Sequence, residues 1–180
     1  VLSTPALNGI LSSPFEVKIT PNGNYAYVTN QIGTISIIDI RPSSPTFNTL
    51  VATTVGVNAQ PQGIDFTPSG LRAYVTDSTT SSVTVININP TDPTLNTVSA
   101  PVALSGVFNG PNDVAVTAEE SYAYVTNFLG ASGSTSSVSA IDINPLSPTF
   151  NTVLNTPGLV STDPITRYVT LTITPNAQFV

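Results

Sequence analysis

Short apolar, β-branched and aromatic runs of four to six residues alternate with polar breaks along the chain, and no window keeps a 3.6-residue period. The breaks are rich in Pro, Gly, Asn and Ser, which bound strands and favour tight turns. In the first clear unit, residues 17–20 read as a strand a, 25–29 as b, 34–40 as c and 50–55 as d. Pro21-Asn22-Gly23 supplies the hairpin between a and b, because glycine reaches the left-handed backbone region without steric cost. Almost no helix is expected.

The unit repeats. Tyr25-Ala26-Tyr27-Val28-Thr29-Asn30 returns as Arg72-Ala73-Tyr74-Val75-Thr76-Asp77 after 47 residues, and as Tyr122-Ala123-Tyr124-Val125-Thr126-Asn127 after 50 more. Val17-Lys18-Ile19-Thr20, Ile64-Asp65-Phe66-Thr67 and Val114-Ala115-Val116-Thr117 precede these segments in order. Pro45-Thr46-Phe47-Asn48-Thr49, Pro93-Thr94-Leu95-Asn96-Thr97 and Pro148-Thr149-Phe150-Asn151-Thr152 follow them. Four antiparallel strands per unit at this period predict the blades of a β-propeller, in which such sheets are arranged around a central channel. The fold class is therefore all-β: four-stranded antiparallel blades, about three and a half of them, in an incomplete ring.

The tetrads Tyr27-Val28-Thr29-Asn30, Tyr74-Val75-Thr76-Asp77 and Tyr124-Val125-Thr126-Asn127, the first two after a Thr-Pro-Asn/Ser-Gly turn and the third after a variant of it, resemble the YVTN-family β-propeller repeat. The resemblance covers essentially the whole chain. It implies a bacterial or archaeal surface, secreted or periplasmic protein, typically seven-bladed. The chain departs from that pattern after strand c, where the family's short turn is replaced by a longer one, such as Asp142-Ile143-Asn144-Pro145-Leu146-Ser147-Pro148-Thr149-Phe150-Asn151-Thr152.

Val1-Leu2-Ser3-Thr4-Pro5 matches Val153-Leu154-Asn155-Thr156-Pro157, and residues 173–180 match 19–26. Residues 1–180 are therefore expected to form a single propeller segment. It comprises a strand d at 1–13, blades at 14–60, 61–110 and 111–163, and a partial blade at 164–180. A portion of a longer propeller is the first expectation; copies that complete a ring or stack through open blade edges are the second.

Composition narrows the chemistry. The chain has no Cys, His, Met or Trp, and four basic residues face ten acidic ones for a net charge of −6. This removes Ser-His-Asp and Cys-His catalysis, zinc sites and His-ligated haem from the segment. No cofactor is called for. Four scattered cations argue against nucleic acid, which needs clustered Lys and Arg. No apolar run approaches the ~20 residues of a spanning helix, so no membrane insertion is expected.

The b–c and d–a loops share one face, and their lengths vary between repeats, from Gln31-Ile32-Gly33 to residues 128–137. Rigid scaffolds tend to carry binding residues on such loops. The starts of the strands a lie nearest the channel mouth. The candidate ligand-binding residues are therefore Glu16, Gln62, Asn112 and Asp113 there, and Phe128 on the longest b–c loop; alternatively, these groups only hydrate the channel. Lys18 and Asp65 occupy equivalent positions in neighbouring blades and are expected to pair within ~4 Å, as a structural contact. Asp39, Asn87 and Asp142 close the strands c and read as Asx-turn residues rather than calcium ligands, since no Asp-x-Asp-x-Asp-Gly string surrounds them.

These readings favour a non-catalytic secreted or cell-surface scaffold for binding or assembly, extracellular or periplasmic, with a protein or glycan partner. Two alternatives stand beside it. One is a fragment of a propeller enzyme, lactonase- or quinoprotein-like, with its catalytic groups outside the segment. The other is a structural unit of an extracellular filament or surface layer.

Overall fold

The computed structural model describes residues 11, 13–55, 57, 59–99, 110–128, 137–154 and 171–173. They form three four-stranded antiparallel sheets, with no helix among the described residues. The first blade contains β1 (Pro14–Ile19), β2 (Tyr25–Asn30), β3 (Thr34–Asp39) and β4 (Thr49–Val55). The second contains β5 (Pro61–Phe66), β6 (Arg72–Asp77), β7 (Ser82–Asn87) and β8 (Thr97–Val98). The third contains β9 (Pro111–Val116), β10 (Tyr122–Asn127), β11 (Ser137–Asp142) and β12 (Thr152–Leu154). Strands pair in chain order within each sheet, and consecutive sheets meet chiefly through their first strands. This is an arc of a β-propeller, with β1, β5 and β9 innermost. Among the described residues no helix is long and apolar enough to cross a membrane.

The second strand of the middle blade is buried on both faces because the blades on either side pack against it. Val75, Tyr74 and Thr76 are fully buried. One core cluster joins Tyr27, Ile35 and Ile37 of the first blade to Ile64, Phe66 and Val75 of the second. There the Tyr27 and Phe66 rings meet edge-on, 5.2 Å apart. A second cluster joins Tyr74 and Val85 to Val114, Val125 and Ile141. On the leading face of the first blade Ala26, Val28 and Ile38 form a smaller buried cluster with Leu11 and Ile40 packed against it, while the innermost strand stands open. Val17 is 60% exposed and Ile19 56%, whereas the equivalent Ile64 is fully buried.

The tetrads hold the blades together with polar groups. The Thr29 hydroxyl accepts the Glu16 N–H (3.1 Å) and donates to the Gln62 carbonyl of the next blade (2.7 Å). Thr76 repeats this, accepting the Gly63 N–H (2.9 Å) and donating to the Asn112 carbonyl (2.8 Å). Each threonine thus satisfies the N–H freed by a bulge in its own first strand, between Pro14 and Val17 or Pro61 and Ile64. The second tyrosine reaches further out. Tyr27 Oη donates to Asn96 Oδ1 (2.6 Å) and Tyr74 Oη to Asn151 Oδ1 (2.8 Å). Both asparagines are left-handed, with φ of 62° and 56°.

The strand-c ends behave as the sequence predicts. Asp39, Asn87 and Asp142 each accept, through Oδ1, the N–H two residues on, at 2.9–3.0 Å. Asp39 also takes a fork from Arg41 (2.9 and 2.6 Å) and the hydroxyls of Ser44 and Thr46. Ser147 and Thr149 do the same for Asp142. These carboxylates are saturated by nearby donors. In the a–b turns Gly23 and Gly70 have φ of 71° and 68°, and Glu120 takes the same position at 55°.

Candidate functional site

Because strands alternate their side chains, residues 16 and 18 of β1 share a face, as do Gly63 and Asp65 of β5. Packing three first strands side by side therefore gathers Glu16, Lys18, Asp65 and Asp113 along the channel. Lys18 Nζ lies 3.1 Å from Asp65 Oδ1, the pair expected from the sequence. Each carboxylate also reaches the next blade. Glu16 Oε2 accepts the Ile64 N–H (2.8 Å), Asp65 Oδ2 the Val116 N–H (2.8 Å) and Asp113 Oδ2 the Leu171 N–H (2.7 Å).

Asp65 Oδ1 further accepts the Phe66 N–H, and Asp113 Oδ1 the Val114 N–H. Both aspartates are thus engaged at both oxygens. Glu16 is different: among the described residues, Oε1 has no hydrogen-bond partner. Gly63 allows this convergence. A Cβ there would lie 2.7 Å from Asp113 Cα and 2.8 Å from the Asn112 carbonyl oxygen, so only glycine lets β5 and β9 approach so closely.

The cluster holds three carboxylates against one ammonium, a formal net charge of −2. Burial raises the Glu16 pKa above its ordinary value; the Ile64 N–H and Lys18 oppose that, while Asp113 and Asp65 add to it. Burial raises Asp113 as well, opposed by the Leu171 and Val114 N–H groups and by Lys18, with Asp65 adding to it. At the strand-c ends the direction reverses. Arg41 holds Asp39 far below the usual carboxylate range, and the Ser147 and Thr149 hydroxyls lower Asp142.

The two sets have opposite consequences for stability. Glu16 and Asp113 bind protons more tightly folded than unfolded, so acidification through their range favours the fold. Asp39 and Asp142 bind protons less tightly when folded, so their contribution is lost as pH falls below the unfolded carboxylate range. The urea midpoint is expected to rise as pH falls from neutral toward the ordinary carboxylate range, then to fall below about 4. A midpoint that only declines from pH 7 downward would show that burial of Glu16 and Asp113 does not dominate.

Of the five candidate ligand-binding residues, four expected at the channel mouth and Phe128 on the longest b–c loop, Glu16 and Asp113 join this cluster. Gln62 donates to Ser78 Oγ (2.5 Å) and lends its carbonyl to Thr29. Asn112 lends its carbonyl to Thr76. Phe128 is half-buried just beyond β10, with its N–H on the Gly110 carbonyl (2.9 Å), and is not part of the cluster. Most of its loop, residues 129–136, lies outside the described residues, as do 1–10, 100–109 and 155–170. Lys18 and Asp65, expected to pair as a structural contact, do so beside Glu16 and Asp113; their equivalent positions two residues beyond Glu16 and Gly63 are the signal.

Known proteins agree with the fold. The family described as "Lactonase, 7-bladed beta-propeller" matches residues 11–115. No curated protein matches the chain. Among solved structures, Kuenenia stuttgartiensis hydrazine synthase superposes with a TM-score of 0.66 at 19% identity, covering 93% of this chain and 40% of the other. A Bacteroides uniformis protein named for 6-phosphogluconolactonase activity gives 0.64 at 19% identity, covering 91% and 45%. A Desulfotomaculum acetoxidans protein of unknown function gives 0.58 at 24% identity, covering 79% and 40%. The chain thus spans less than half the length of these structures.

The family match corrects the expectation of a non-catalytic scaffold, since it points to hydrolytic enzymes. The physical reason is that missing His and Cys exclude some bases and nucleophiles, yet leave carboxylates whose proton affinity burial adjusts. With more than half of its residues matched, the chain belongs to the lactonase, seven-bladed β-propeller family.

Proposed function

We propose that this chain is part of a propeller enzyme that hydrolyses lactones, with Glu16 as general base at the channel. The observation that carries this reading is the unengaged Oε1 of Glu16 beside two fully engaged aspartates, in a chain matched to the lactonase family. In the proposed step a water attacks the lactone carbonyl carbon and Glu16 takes its proton. The ring C–O bond then breaks, and the leaving oxygen recovers that proton to give the open hydroxy acid. Asp113 raises the proton affinity of Glu16, and Lys18 limits that rise. A net charge of −2 favours an uncharged sugar-acid lactone over a phosphorylated one. The Tyr-Val-Thr tetrads support reading these blades as YVTN repeats, and the charge-poor composition suits an extracellular or periplasmic setting.

The test follows ring opening of glucono-δ-lactone by pH-stat, corrected for the uncatalysed rate. Glu16→Gln is expected to reduce kcat by about 100-fold or more. Asp113→Asn removes a neighbouring negative charge, so the acid limb of the pH profile is expected to move to lower pH. Lys18→Met should move it to higher pH. Full activity in Glu16→Gln would rule out this base, and a limb unmoved by both other changes would rule out the coupling.

A further inference from the structure

A second cavity lies between the first two blades on the opposite face, beside the a–b turns and away from the carboxylates. It measures about 260 Å³ and is lined by Tyr25, Val51, Ala52, Gly70, Ile88 and Leu95, with Asn22 and Asn96 among its polar lining. The repeat shows what normally fills this space. At the junction of the second and third blades, Phe150 stands where Leu95 stands here, and the Arg72 guanidinium stacks on its ring at 5.0 Å. Glu120 stands where Gly70 stands here, and its carboxylate accepts the Ser69 N–H. Asn22 is the counterpart of Ser69.

At the first junction both groups are missing. Gly70 carries no side chain, and a Cβ added there would meet nothing within 4 Å. Leu95 is smaller than phenylalanine and 39% exposed. The Asn22 N–H has no acceptor among the described residues. The cavity therefore lacks the carboxylate and the phenylalanine ring of the second junction, while Tyr25 stands where Arg72 stands there.

We propose that this cavity binds a small aromatic carboxylate, whose acid group takes the Asn22 N–H and whose ring lies against Tyr25, Val51, Ile88 and Leu95. An apolar cavity of about 150 Å³ holds a benzene ring. The volume here accommodates a ring with a short acid arm. This site is independent of the lactone reading, because it shares no residue with the Glu16 cluster.

The probe is 3-phenylpropionate, titrated into the protein by calorimetry, with 3-phenylpropanol as its uncharged counterpart. One equivalent of the acid is expected to bind, at least tenfold more tightly than the alcohol. Leu95→Phe and Gly70→Glu supply the missing groups from within, and each is expected to weaken binding at least tenfold. Glutamate at position 70 is compatible with the turn, since Glu120 already adopts a φ of 55° there. Lys18→Met, in the channel, should leave binding unchanged. Absence of saturable binding, equal binding of the alcohol, or full binding to Leu95→Phe would each overturn the proposal.

Discussion

Replacing Gly63 with alanine is expected to destabilise the protein by about 1–3 kcal/mol, and to do so by prising the second and third blades apart. The added methyl would lie 2.7 Å from Asp113 Cα and 2.8 Å from the Asn112 oxygen. Both are main-chain atoms, so no side-chain rotation relieves the clash. The strands must separate, and the separation moves the backbone that carries Asp113 and weakens the Thr76 bond to Asn112. Gly70→Ala is the contrasting change, because its methyl points into open space and costs only backbone strain at φ 68°. For a chain of this size each kcal/mol moves the melting temperature by roughly 2–4 °C. Gly63→Ala melting with the wild type would mean that the close approach contributes nothing.

Thr76→Val is expected to cost about 2–6 kcal/mol while preserving shape. Valine fills the same volume but cannot accept from Gly63 N or donate to the Asn112 carbonyl. Each buried main-chain group left without a partner costs about 1–3 kcal/mol. Thr76→Ser keeps the hydroxyl and should recover most of the loss, which separates the hydrogen bonds from packing. Urea unfolding of the single and double variants with Gly63→Ala checks this further. The two changes act on the same junction, so their effects should fall short of additive. A valine variant as stable as the serine variant would reassign the role of Thr76 to packing.

The blade pattern is legible in the sequence because strand b must satisfy the same surroundings each time. Its tyrosine must reach an asparagine and its threonine must serve two backbone groups, so few residue types fit. The start of strand a is less legible. The first strand begins at Pro14, three residues before the alternation starts at Val17, because the bulge held by Thr29 interrupts the period-two pattern. Among the described residues the fourth strand spans seven residues in the first blade, two in the second and three in the third. The site is half legible. The Lys18–Asp65 pair follows from equivalent positions, and Glu16 and Asp113 from their place near the channel mouth. Their union in one charged row depends on the distance between blades, which Gly63 sets and which no local pattern records. Phe128 shows the converse, since a lengthened loop does not say where its first side chain will rest.

The threonine, tyrosine and first-strand carboxylate ties have a common direction. Each starts on a side chain of one blade and ends on the main chain, or on a left-handed asparagine, of the blade that follows. A blade therefore carries its own fastenings and asks little of its successor's side chains. A duplicated or transplanted blade would find the anchorage it needs wherever another blade backbone, with its left-handed asparagine, lies ahead of it. Such an array can lengthen by copying, and individual blades can diverge in their loops and channel groups, without any pair of matching surfaces having to be invented anew.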